Sequence, residues 1–565
     1  MFKSFKKFIL LSVFLLVVIF AFFGCKKDIP DESLTPEGVF EADLMSEDTF
    51  LFAQFSDANN DQKTFLNELL AKFPKAESAM SFSTFLNSNL SQYDLNYEND
   101  LLPVIAENKR ISFGVNFDEE RQDNDVLITV MIQDNDKALA FLDTVSTRAG
   151  FFQESMDDSI LVGNADLNLY MSVYKDLILI SNARDVLRKS FDRINDKTAA
   201  LSDVELFKEQ FANSYDQGFL FAYLNPSAPL GNISVAYLND LADTNVQEFF
   251  KISAEEDGFY ISAYIKADPK VKADLAEYKI SSESAYLGKE VPENGLIFYT
   301  ESANFLNALR MESQAQTDGF AKLSSTVNQY LGMDFEKDIL TFLDKSIAFS
   351  LHSQGETFIP ALNLVIDVSS NTKGAEEFVN KINTQIDGVI ALMNMQFAQY
   401  AGILIKDTID KDGNSLQHLK IDFSKVPDEV YSAFSQIPTS LKNNVLNLSY
   451  GVLKDNLLFI STANSFDLTE ETLSQNSTFK NLQNKIDDYD DGLMFLEFKN
   501  LIPLVDKLIE LNNQITGEVT VENDNLTYDL FKRYTETFEG IIFGTKINSP
   551  YEMEVAGFIQ IRNEK

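Results

Sequence analysis

The sequence contains a long-range internal repeat, and this repeat constrains the fold more than any other feature of the chain. At least five landmarks recur in the same order, separated by about 240 to 280 residues. The paired segments are SEDTFLFAQF from Ser46 and PENGLIFYTE from Pro292, YENDLLPVIAENKRISFGV from Tyr97 and FEKDILTFLDKSIAFSL from Phe335, VLITVMIQDNDKALAFLDTV from Val126 and LNLVIDVSSNTKGAEEFVNKI from Leu362, KDLILISNA from Lys175 and KDNLLFISTA from Lys454, LSDVELFK from Leu201 and LSQNSTFK from Leu473, and YDQGFLFAYLN from Tyr215 and YDDGLMFLEFK from Tyr489. Ordered matches of this kind indicate duplication. We therefore predict two homologous domains, at residues 45–270 and 285–562.

The local pattern of each copy predicts an α+β fold. Short runs of alternating or continuous apolar residues, such as 127–132 and 260–265, are typical of strands. Longer segments with 3.6-residue spacing, such as 136–148, are typical of helices. Turns such as KDGN at 411–414 link neighbouring strands, which favours antiparallel pairing. We predict two tandem homologous domains, each a mainly antiparallel sheet with helices packed on one face.

The second copy differs from the first by two insertions, near residues 383–400 and 424–444. The first insertion is predicted to form a helix with one Met-containing and aromatic face. Such a face is either an adaptable binding surface or part of a core or domain interface. The residues of this face are Val389, Leu392, Met393 and Phe397. The second insertion has a short predicted helix between two prolines, which would suit a lid or an edge cover.

The N-terminus has the pattern of a bacterial lipoprotein signal peptide. Three lysines in the first seven residues precede an apolar run at 8–24, and a polar segment follows. Gly24 supplies the small residue required before a modified cysteine, and Cys25 is the only cysteine of the chain. We predict that residues 1–24 are removed and that Cys25 is acylated, as by palmitate. An uncleaved signal anchor is the alternative, because two phenylalanines precede Gly24 and the apolar run is near the minimum length of a membrane span.

Acylation would attach the folded body to a membrane through a tether. The segment 25–44 is acidic, contains two prolines and lacks apolar periodicity, so we predict that it is flexible. A single thiol cannot form an internal disulfide, which fits an exported chain whose cysteine carries a lipid. We expect an extracytoplasmic protein of the bacterial cell envelope, in the periplasm or on a membrane surface. The sequence does not distinguish an inner-membrane from an outer-membrane anchor.

The charge of the chain excludes several classes of partner. Lys and Arg total 47 whereas Asp and Glu total 86, so the formal net charge is −39 at pH 7. This surface repels polyanions, and nucleic acid is therefore not an expected partner. It also repels anionic lipid headgroups, so the membrane contact is expected to be the lipid anchor. An envelope protein or an apolar ligand remains as the expected partner.

Several segments of the first copy resemble a known family of bacterial envelope proteins. They are the polar turn and strand start at 47–50, FPKAESAMSFSTFL, DLLPVIAENKRISFGV, the helix into AGFF at 149–152, KDLILISNARDVLRKSF, LSDVELFK and the strand with Tyr223. In these segments the chain resembles the domain-of-unknown-function family 3352, over most of 45–268 and more faintly in the second copy. The resemblance implies the architecture and an envelope location, and it implies no catalytic or binding residue.

Common catalytic and cofactor motifs are absent from the sequence. The two histidines, His352 and His418, belong to the same copy and have no cysteine partner, so zinc–thiolate sites and histidine-based triads lack components. No glycine-rich phosphate loop, nucleophile elbow or metalloprotease helix occurs. We expect no enzyme activity, no cofactor and structural or surface roles for both histidines. The alternatives are an extracytoplasmic hydrolase with paired carboxylates and a carrier of lipid or another ligand.

Two acidic segments resemble calcium loops in part. In the first, Gln62 occupies the position at which an EF-hand loop requires glycine, and a strand precedes the loop. We interpret this segment as a helix start with Asp61 near the N-cap. The residues at ligand positions are Asp57, Asn59, Asp61 and Glu68. The second segment is an aspartate cluster at 487–491, which we interpret as a turn into a strand. No metal site is predicted.

Overall fold

The computed structural model divides the chain into two compact units. One comprises Lys6–Ala276 and Tyr551–Glu554, and most of the other is Glu277–Pro550 with Val555–Lys565. We call them the N-terminal and C-terminal units. The residues that the structure describes are 41–56, 59–73, 96–105, 110–118, 121–148, 150–156, 159–196, 198–212, 218–225, 228, 246–267, 287–303, 324–329, 332–354, 359–396, 402–411, 413–427, 445–463, 471–516, 532–533 and 535–563.

The described part of the N-terminal unit contains ten antiparallel strands. Their bounds are β1 (Leu51–Ser56), β2 (Arg110–Asp118), β3 (Asp123–Met131), β4 (Phe152–Met156), β5 (Ser159–Asn164), β6 (Leu169–Tyr174), β7 (Leu177–Ser181), β8 (Leu220–Leu224), β9 (Val246–Glu255) and β10 (Gly258–Ala267). Their hydrogen-bonded order is β4-β5-β6-β7-β3-β2-β1-β8-β9-β10.

The described part of the C-terminal unit also contains ten antiparallel strands. Their bounds are β11 (Leu296–Ser302), β12 (Ile347–His352), β13 (Ala361–Asp367), β14 (Leu404–Lys411), β15 (Asn414–Asp422), β16 (Val445–Leu453), β17 (Leu457–Ser461), β18 (Gly492–Glu497), β19 (Phe538–Ser549) and β20 (Glu552–Ile561). Their order is β14-β15-β16-β17-β13-β12-β11-β18-β19-β20. Adding ten to each strand number of the N-terminal unit reproduces this order.

Helices connect these strands, so the predicted α+β class is confirmed. The principal α-helices are α1 (Asn60–Ala71), α2 (Asn135–Ser146), α3 (Arg184–Asp196), α4 (Glu205–Ala212), α5 (Thr372–Gln396), α6 (Ser477–Gln483) and α7 (Phe498–Thr516). Short 3-10 or π turns lie at Glu41–Leu44, Tyr97–Leu101, Leu201–Asp203, Leu287–Glu290, Phe335–Ile339, Leu340–Phe342, Phe423–Lys425 and Leu473–Gln475.

Helices cover both faces of the N-terminal sheet, so the prediction that they pack on one face is wrong. Leu177 and Leu179 of β7 lie in a core cluster with α3 and α4, whereas Ile178 lies in a second cluster with α2. Consecutive strand residues point to opposite faces, so α2 and the α3–α4 pair lie on opposite sides. The physical reason is the continuous apolar run LILI of β7, which needs cover on both sides.

The C-terminal sheet is covered in the same way. On one face, Val379 of α5 packs with Ile366 and Leu458. On the other face, Phe479 of α6 contacts the ring of Tyr299, with centroids 6.3 Å apart. The register of β11, β12, β13 and β17 places Tyr299 on the side opposite Leu458.

The described part of each unit begins with a short turn that is held against a later 3-10 turn. In the N-terminal unit the turn Glu41–Leu44 has buried side chains, and Leu201 N donates to Met45 O at 3.0 Å. These four residues are the last of the segment assigned above to the tether. In the C-terminal unit Leu473 N donates to Val291 O at 2.8 Å. An antiparallel bridge follows in each case, Ser46 to Ala200 and Pro292 to Thr472.

Candidate functional site

Among the helices whose equivalents are described in both units, α5 shows the largest difference in length. It has 25 residues, whereas α2, which follows the equivalent strand of the N-terminal unit, has 12. At about 1.5 Å per residue, the additional turns lengthen the helix by roughly 20 Å. The strands beside it are longer as well. β14, β15 and β16 have 8, 9 and 9 residues, against 5, 6 and 6 in β4, β5 and β6.

The inner face of α5 is fixed to the sheet by apolar and polar contacts. Ile382 and Ile386 pack against the core cluster that contains Tyr450. The Tyr450 hydroxyl donates a hydrogen bond to Asn383 Oδ1 at 2.7 Å. Lys406 Nζ donates to the Asn383 carbonyl at 3.3 Å and to Asp387 Oδ1 at 2.7 Å. The added part of α5 is therefore attached to the lengthened strands as far as residue 387.

The outer face of the following two turns is apolar and open to solvent. Val389, Leu392 and Met395 are 51%, 47% and 78% exposed, and they recur every three residues along the helix. We call these three residues the α5 stripe. The segment GVIALMNMQ from Gly388 contains no charged residue, in a chain with 86 acidic and 47 basic residues.

The structure modifies the face that was predicted for the first insertion. Val389 and Leu392 point outward as a binding surface requires, whereas Met393 is half-buried. Met395 replaces it on the exposed side. Phe397 lies outside the described residues. The sequence pattern did not identify Met395, because packing of Ile382 and Ile386 on the sheet determines which residues of α5 face solvent.

A row of polar side chains crosses the C-terminal sheet on the face opposite α5. The cross-strand register joins Tyr299, Ser350, Asn363, Ser461, Ser449 and His418. Most of these residues are buried, and Ser461 Oγ donates to Asn363 Oδ1. The equivalent row of the N-terminal unit is Phe52, Gly114, Leu127, Ser181 and Tyr170. Aligning the two copies strand by strand would have found this difference.

Both histidines have hydrogen-bond partners within the C-terminal unit. His352 is buried, and burial lowers its pKa to about 4. His352 Nδ1 lies 3.1 Å from the Asn294 carbonyl oxygen, which can only accept, so Nδ1 is the protonated donor nitrogen. The other nitrogen of the neutral ring, Nε2, therefore accepts from the Ser350 hydroxyl at 2.8 Å. Nδ1 of the half-buried His418 lies 3.0 Å from Ser449 Oγ. These contacts fix both rings against the sheet.

The carboxylate at the end of β18 and a carboxylate just before β11 share one amide donor. Asn476 Nδ2 lies 3.1 Å from Glu293 Oε1 and 3.4 Å from Glu497 Oε1. Asn500 Nδ2 donates to the other oxygen of Glu497 at 2.9 Å. Burial raises the pKa of Glu497, which is 7% exposed. Their oxygens accept hydrogen bonds from Asn476, the N-cap of α6, and from Asn500 of α7.

Several described residues of the two calcium-like segments serve local structure, and Asp57 lies outside the described residues. Asn59 is the N-cap of α1, with its side chain accepting from Asp61 N and Gln62 N, and Asp61 lies in the first turn, so the predicted helix start is confirmed. Gln62 Oε1 accepts from Ala254 N at 2.7 Å, and Gln62 Nε2 donates to the Ala254 carbonyl at 3.0 Å. Asp491 Oδ2 accepts from Ile547 N at 2.7 Å. Within the described ranges, no group of three His, Cys, Asp or Glu residues is arranged to hold a metal ion.

Three predicted features lie wholly or mostly outside the described residues. They are the anchor residues Gly24 and Cys25, the tether up to residue 40 and most of the insertion near 424–444. Among the helices that the structure describes, none combines the length and the apolarity required to cross a membrane.

The comparison with known proteins identifies the family. Residues 8–523 match the family described as "Protein of unknown function (DUF3352)", and the chain belongs to this family. No curated protein matches the sequence. Among solved structures, crystal form I of TP0453 is similar at 9% identity with a TM-score of 0.25, covering 43% of this chain and 82% of that chain. Crystal form IV of TP0453 gives 7% identity and a TM-score of 0.24, with 40% and 79% covered.

Proposed function

We propose that this protein is a bacterial envelope lipoprotein, anchored by acylated Cys25, that binds another envelope protein and has no catalytic activity. The basic start, the apolar run at 8–24 and the small residue Gly24 before the only cysteine support export and lipid attachment. The protein is then extracytoplasmic, and its acidic body is held at the membrane by the acyl chain.

The body consists of two tandem homologous domains in this proposal. The identical strand order of the two units supports it, as does the shared pairing of an opening turn with a later 3-10 turn. Where the structure describes them, the repeated sequence landmarks fall on equivalent elements, for example Leu201–Asp203 and Leu473–Gln475. A duplicated domain is free to acquire a new role in one copy, and here the lengthened α5 belongs to the second copy alone.

The observation that carries the binding function is the α5 stripe. An exposed apolar row on a helix whose preceding turns are attached to the sheet is a suitable surface for a helical or flat apolar partner. The net negative charge of the chain favours a partner with basic residues. A second copy of this chain or an anionic membrane would add negative charge beside Asp387 and the acidic body, whereas a protein with basic residues around an apolar patch would be attracted.

A pair of designed peptides tests this surface. The probes are amphipathic helices of about 18 residues, long enough for roughly 27 Å of helix, with a leucine face and either a lysine or a glutamate face. We expect the full chain, in a nonionic detergent, to bind the lysine peptide and not the glutamate peptide, as measured by fluorescence anisotropy.

The double variant Leu392→Glu/Met395→Glu should bind the lysine peptide roughly thirty-fold more weakly, or by about 2 kcal/mol, because two apolar contacts are lost. The matched control is Leu508→Glu, at another exposed leucine on α7. Added negative charge alone would strengthen binding of a cationic peptide. Unchanged binding by the double variant would therefore refute the role of the α5 stripe.

The anchor has a separate test. We expect the wild-type chain, expressed in a bacterium with radiolabelled fatty acid, to incorporate label and to begin at residue 25 by mass spectrometry. Cys25→Ser should lose both the label and the membrane fractionation. A wild-type protein that is uncleaved and unlabelled would contradict lipid attachment and favour the signal-anchor alternative.

A further inference from the structure

Strand β14 forms an open edge of the C-terminal sheet. Within the part of the chain that the structure describes, it pairs with β15 alone, through eight consecutive residue pairs without a bulge. Its counterpart in the N-terminal unit, β4, has five residues against the eight of β14. At about 3.3 Å per residue, the edge of β14 is roughly 26 Å long. The second copy has therefore lengthened this edge as well as α5.

One hydrogen bond shows which backbone groups of β14 point away from β15. Asp422 N donates to Ile403 O at 2.9 Å, so these two residues form a hydrogen-bonded pair. In an antiparallel ladder every second residue bonds to the neighbouring strand. Ile405, Asp407 and Ile409 therefore bond to β15. The residues between them direct their N–H and C=O groups away from the sheet, and they are Leu404, Lys406, Thr408 and Asp410.

β14 lacks the devices that usually protect an edge strand against pairing. Such strands commonly carry a proline, a bulge or an exposed lysine. β14 contains no proline, and its register is continuous. The lysine in its middle, Lys406, is turned onto α5, where its ammonium group bonds to Asn383 O and Asp387 Oδ1. The Lys406 side chain is only 13% exposed, so it leaves the edge accessible to another strand.

The charge beside the edge favours a basic strand. Asp407 is exposed, and its pairing with His418 places it at the end of the polar row that crosses the sheet. Among the described residues, no ion pair involves this carboxylate. Side chains directly opposite each other on neighbouring strands interact, so a cation on an added strand would be attracted to Asp407. The net charge of −39 favours the same sign of partner.

We infer that β14 binds an extended segment of a partner protein as an additional strand, and that alternate residues of this segment are basic. Main-chain hydrogen bonds to the four outward-facing residues supply the attraction, and the basic side chains supply the selectivity. On a strand, the side chains of one face and the N–H groups towards one neighbour belong to the same alternate residues. The partner residues that bond to β14 therefore lie on the face of Lys406, and the basic residues between them lie on the face of Asp407.

This inference goes beyond the proposed function, because it does not depend on the α5 stripe and is tested with a strand instead of a helix. The probe is a labelled peptide of about nine residues that alternates valine and lysine and spans roughly 30 Å. We expect the full chain, in a nonionic detergent, to bind this peptide in fluorescence anisotropy. The same peptide with glutamate in place of lysine should bind about ten-fold more weakly, because like charges repel.

Backbone methylation of the peptide tests the direction of the hydrogen bonds. N-methylation of the two central valines should weaken binding at least about ten-fold, because these N–H groups face β14. N-methylation of the two central lysines adds the same methyl groups on the side away from β14, and it should leave the affinity within about two-fold.

Two variants of the protein test the same contacts. Thr408→Pro removes one outward N–H group at a position where an edge strand tolerates proline, so it should weaken the valine–lysine peptide about ten-fold. An unchanged midpoint of urea unfolding would show that the variant is folded. Asp407→Asn should weaken the peptide about three-fold, because one exposed ion pair is lost. The matched control Asp143→Asn removes the same charge from an exposed site on α2 and should have no effect.

Three results would overturn the inference. Equal weakening by both pairs of N-methyl groups would show that the backbone of the peptide does not pair with β14. Equal binding of the lysine and glutamate peptides would refute the basic partner. A dimer of the full chain that Thr408→Pro abolishes would show that a second copy occupies the edge instead.

Discussion

At the residue scale, a buried ion pair in one unit and a buried carboxyl group in the other show how ionisable side chains are accommodated in the interior. Arg110 Nε bonds to Glu41 Oε1, and both residues are almost fully buried at 3% and 1% exposure. The pair joins the opening turn of the N-terminal unit to the start of β2. In the C-terminal unit Glu301 joins β11 to the opening turn, because its carboxylate accepts from Leu287 N at 3.1 Å. It also accepts from the Tyr299 hydroxyl.

Removal of one member of the buried pair should be costly. Arg110→Met leaves the Glu41 carboxylate without its cation in the interior, and we expect the free energy of unfolding to fall by about 3–5 kcal/mol in urea denaturation. Replacing both residues, as in Glu41→Leu/Arg110→Met, should recover most of the loss because no charge stays buried. A single variant as stable as the wild type would show that the pair does not stabilise the fold.

Glu301 should make the stability of the C-terminal unit depend on pH. Burial raises its pKa from 4.5 to about 7, which the hydrogen bonds from Tyr299 and Leu287 only partly oppose. A raised carboxyl pKa means that ionisation disfavours the folded state. The unit should therefore lose roughly 3 kcal/mol as the pH rises from about 4.5 to 7, with little further change above.

The check is urea unfolding of the C-terminal unit between pH 4.5 and 8, followed by hydrogen exchange of β11 and β18. Glu301→Gln keeps an oxygen to accept from Leu287 N and cannot ionise, so it should flatten this part of the profile. A wild-type profile that Glu301→Gln leaves unchanged would contradict the assignment.

At the element scale, α5 shows how a helix can extend beyond its core. Its first half packs through Ala375 and Val379, and its second half is held by Asn383 and Asp387 before the apolar stripe begins. Gly388 lies at the start of that stripe, and a β-carbon at this position would have no neighbouring heavy atom within 4 Å. A glycine inside a helix lowers its stability, so the stripe begins at a weak point.

Gly388→Ala should stabilise the second half of α5 by about 0.5–1 kcal/mol, because alanine is favoured in helices and meets no neighbour. Slower amide hydrogen exchange at 388–396 would show the effect. Gly374→Ala is the matched control in the same helix. Its β-carbon would come within 2.4 Å of Asn371 Nδ2, so it should bring no gain. Equal stabilisation by both variants would argue against this account.

At the scale of the whole molecule, each unit has its own core around one aromatic residue of a short helix. Phe207 of α4 contacts the ring of Phe52 at 5.4 Å, and Phe479 of α6 contacts Phe495 at 5.2 Å. Both phenylalanines are fully buried. A phenylalanine ring therefore occupies the equivalent core position in both units, although the units differ in α5 and in the polar row.

If the units are separate domains, Phe207→Ala should destabilise the N-terminal unit by about 3–5 kcal/mol and leave the other nearly unchanged. Phe479→Ala should do the reverse. Hydrogen exchange followed by mass spectrometry measures both units in the same sample. Equal loss of protection in both units from either variant would instead indicate one cooperative fold.

The sequence predicted those parts of the fold that depend on local pattern. The strand and helix runs around Leu127 and Asp136 became β3 and α2, and the segments from Lys175 and Lys454 both contain strands at equivalent places. The hydrophobic periodicity and the turn residues that define such elements lie close together in the sequence, so the elements can be predicted from it. For the candidate site, the pattern located the apolar insertion on a helix and identified Val389 and Leu392.

The tertiary structure decided which faces are covered and which side chains meet. Leu177 and Ile178 belong to one apolar run, and only the packing of α2, α3 and α4 shows that both sides are covered. Met395 is exposed because Ile386 fixes the rotation of α5 on the sheet. Local sequence sets the period of an element, whereas burial and neighbouring charge depend on contacts between distant residues.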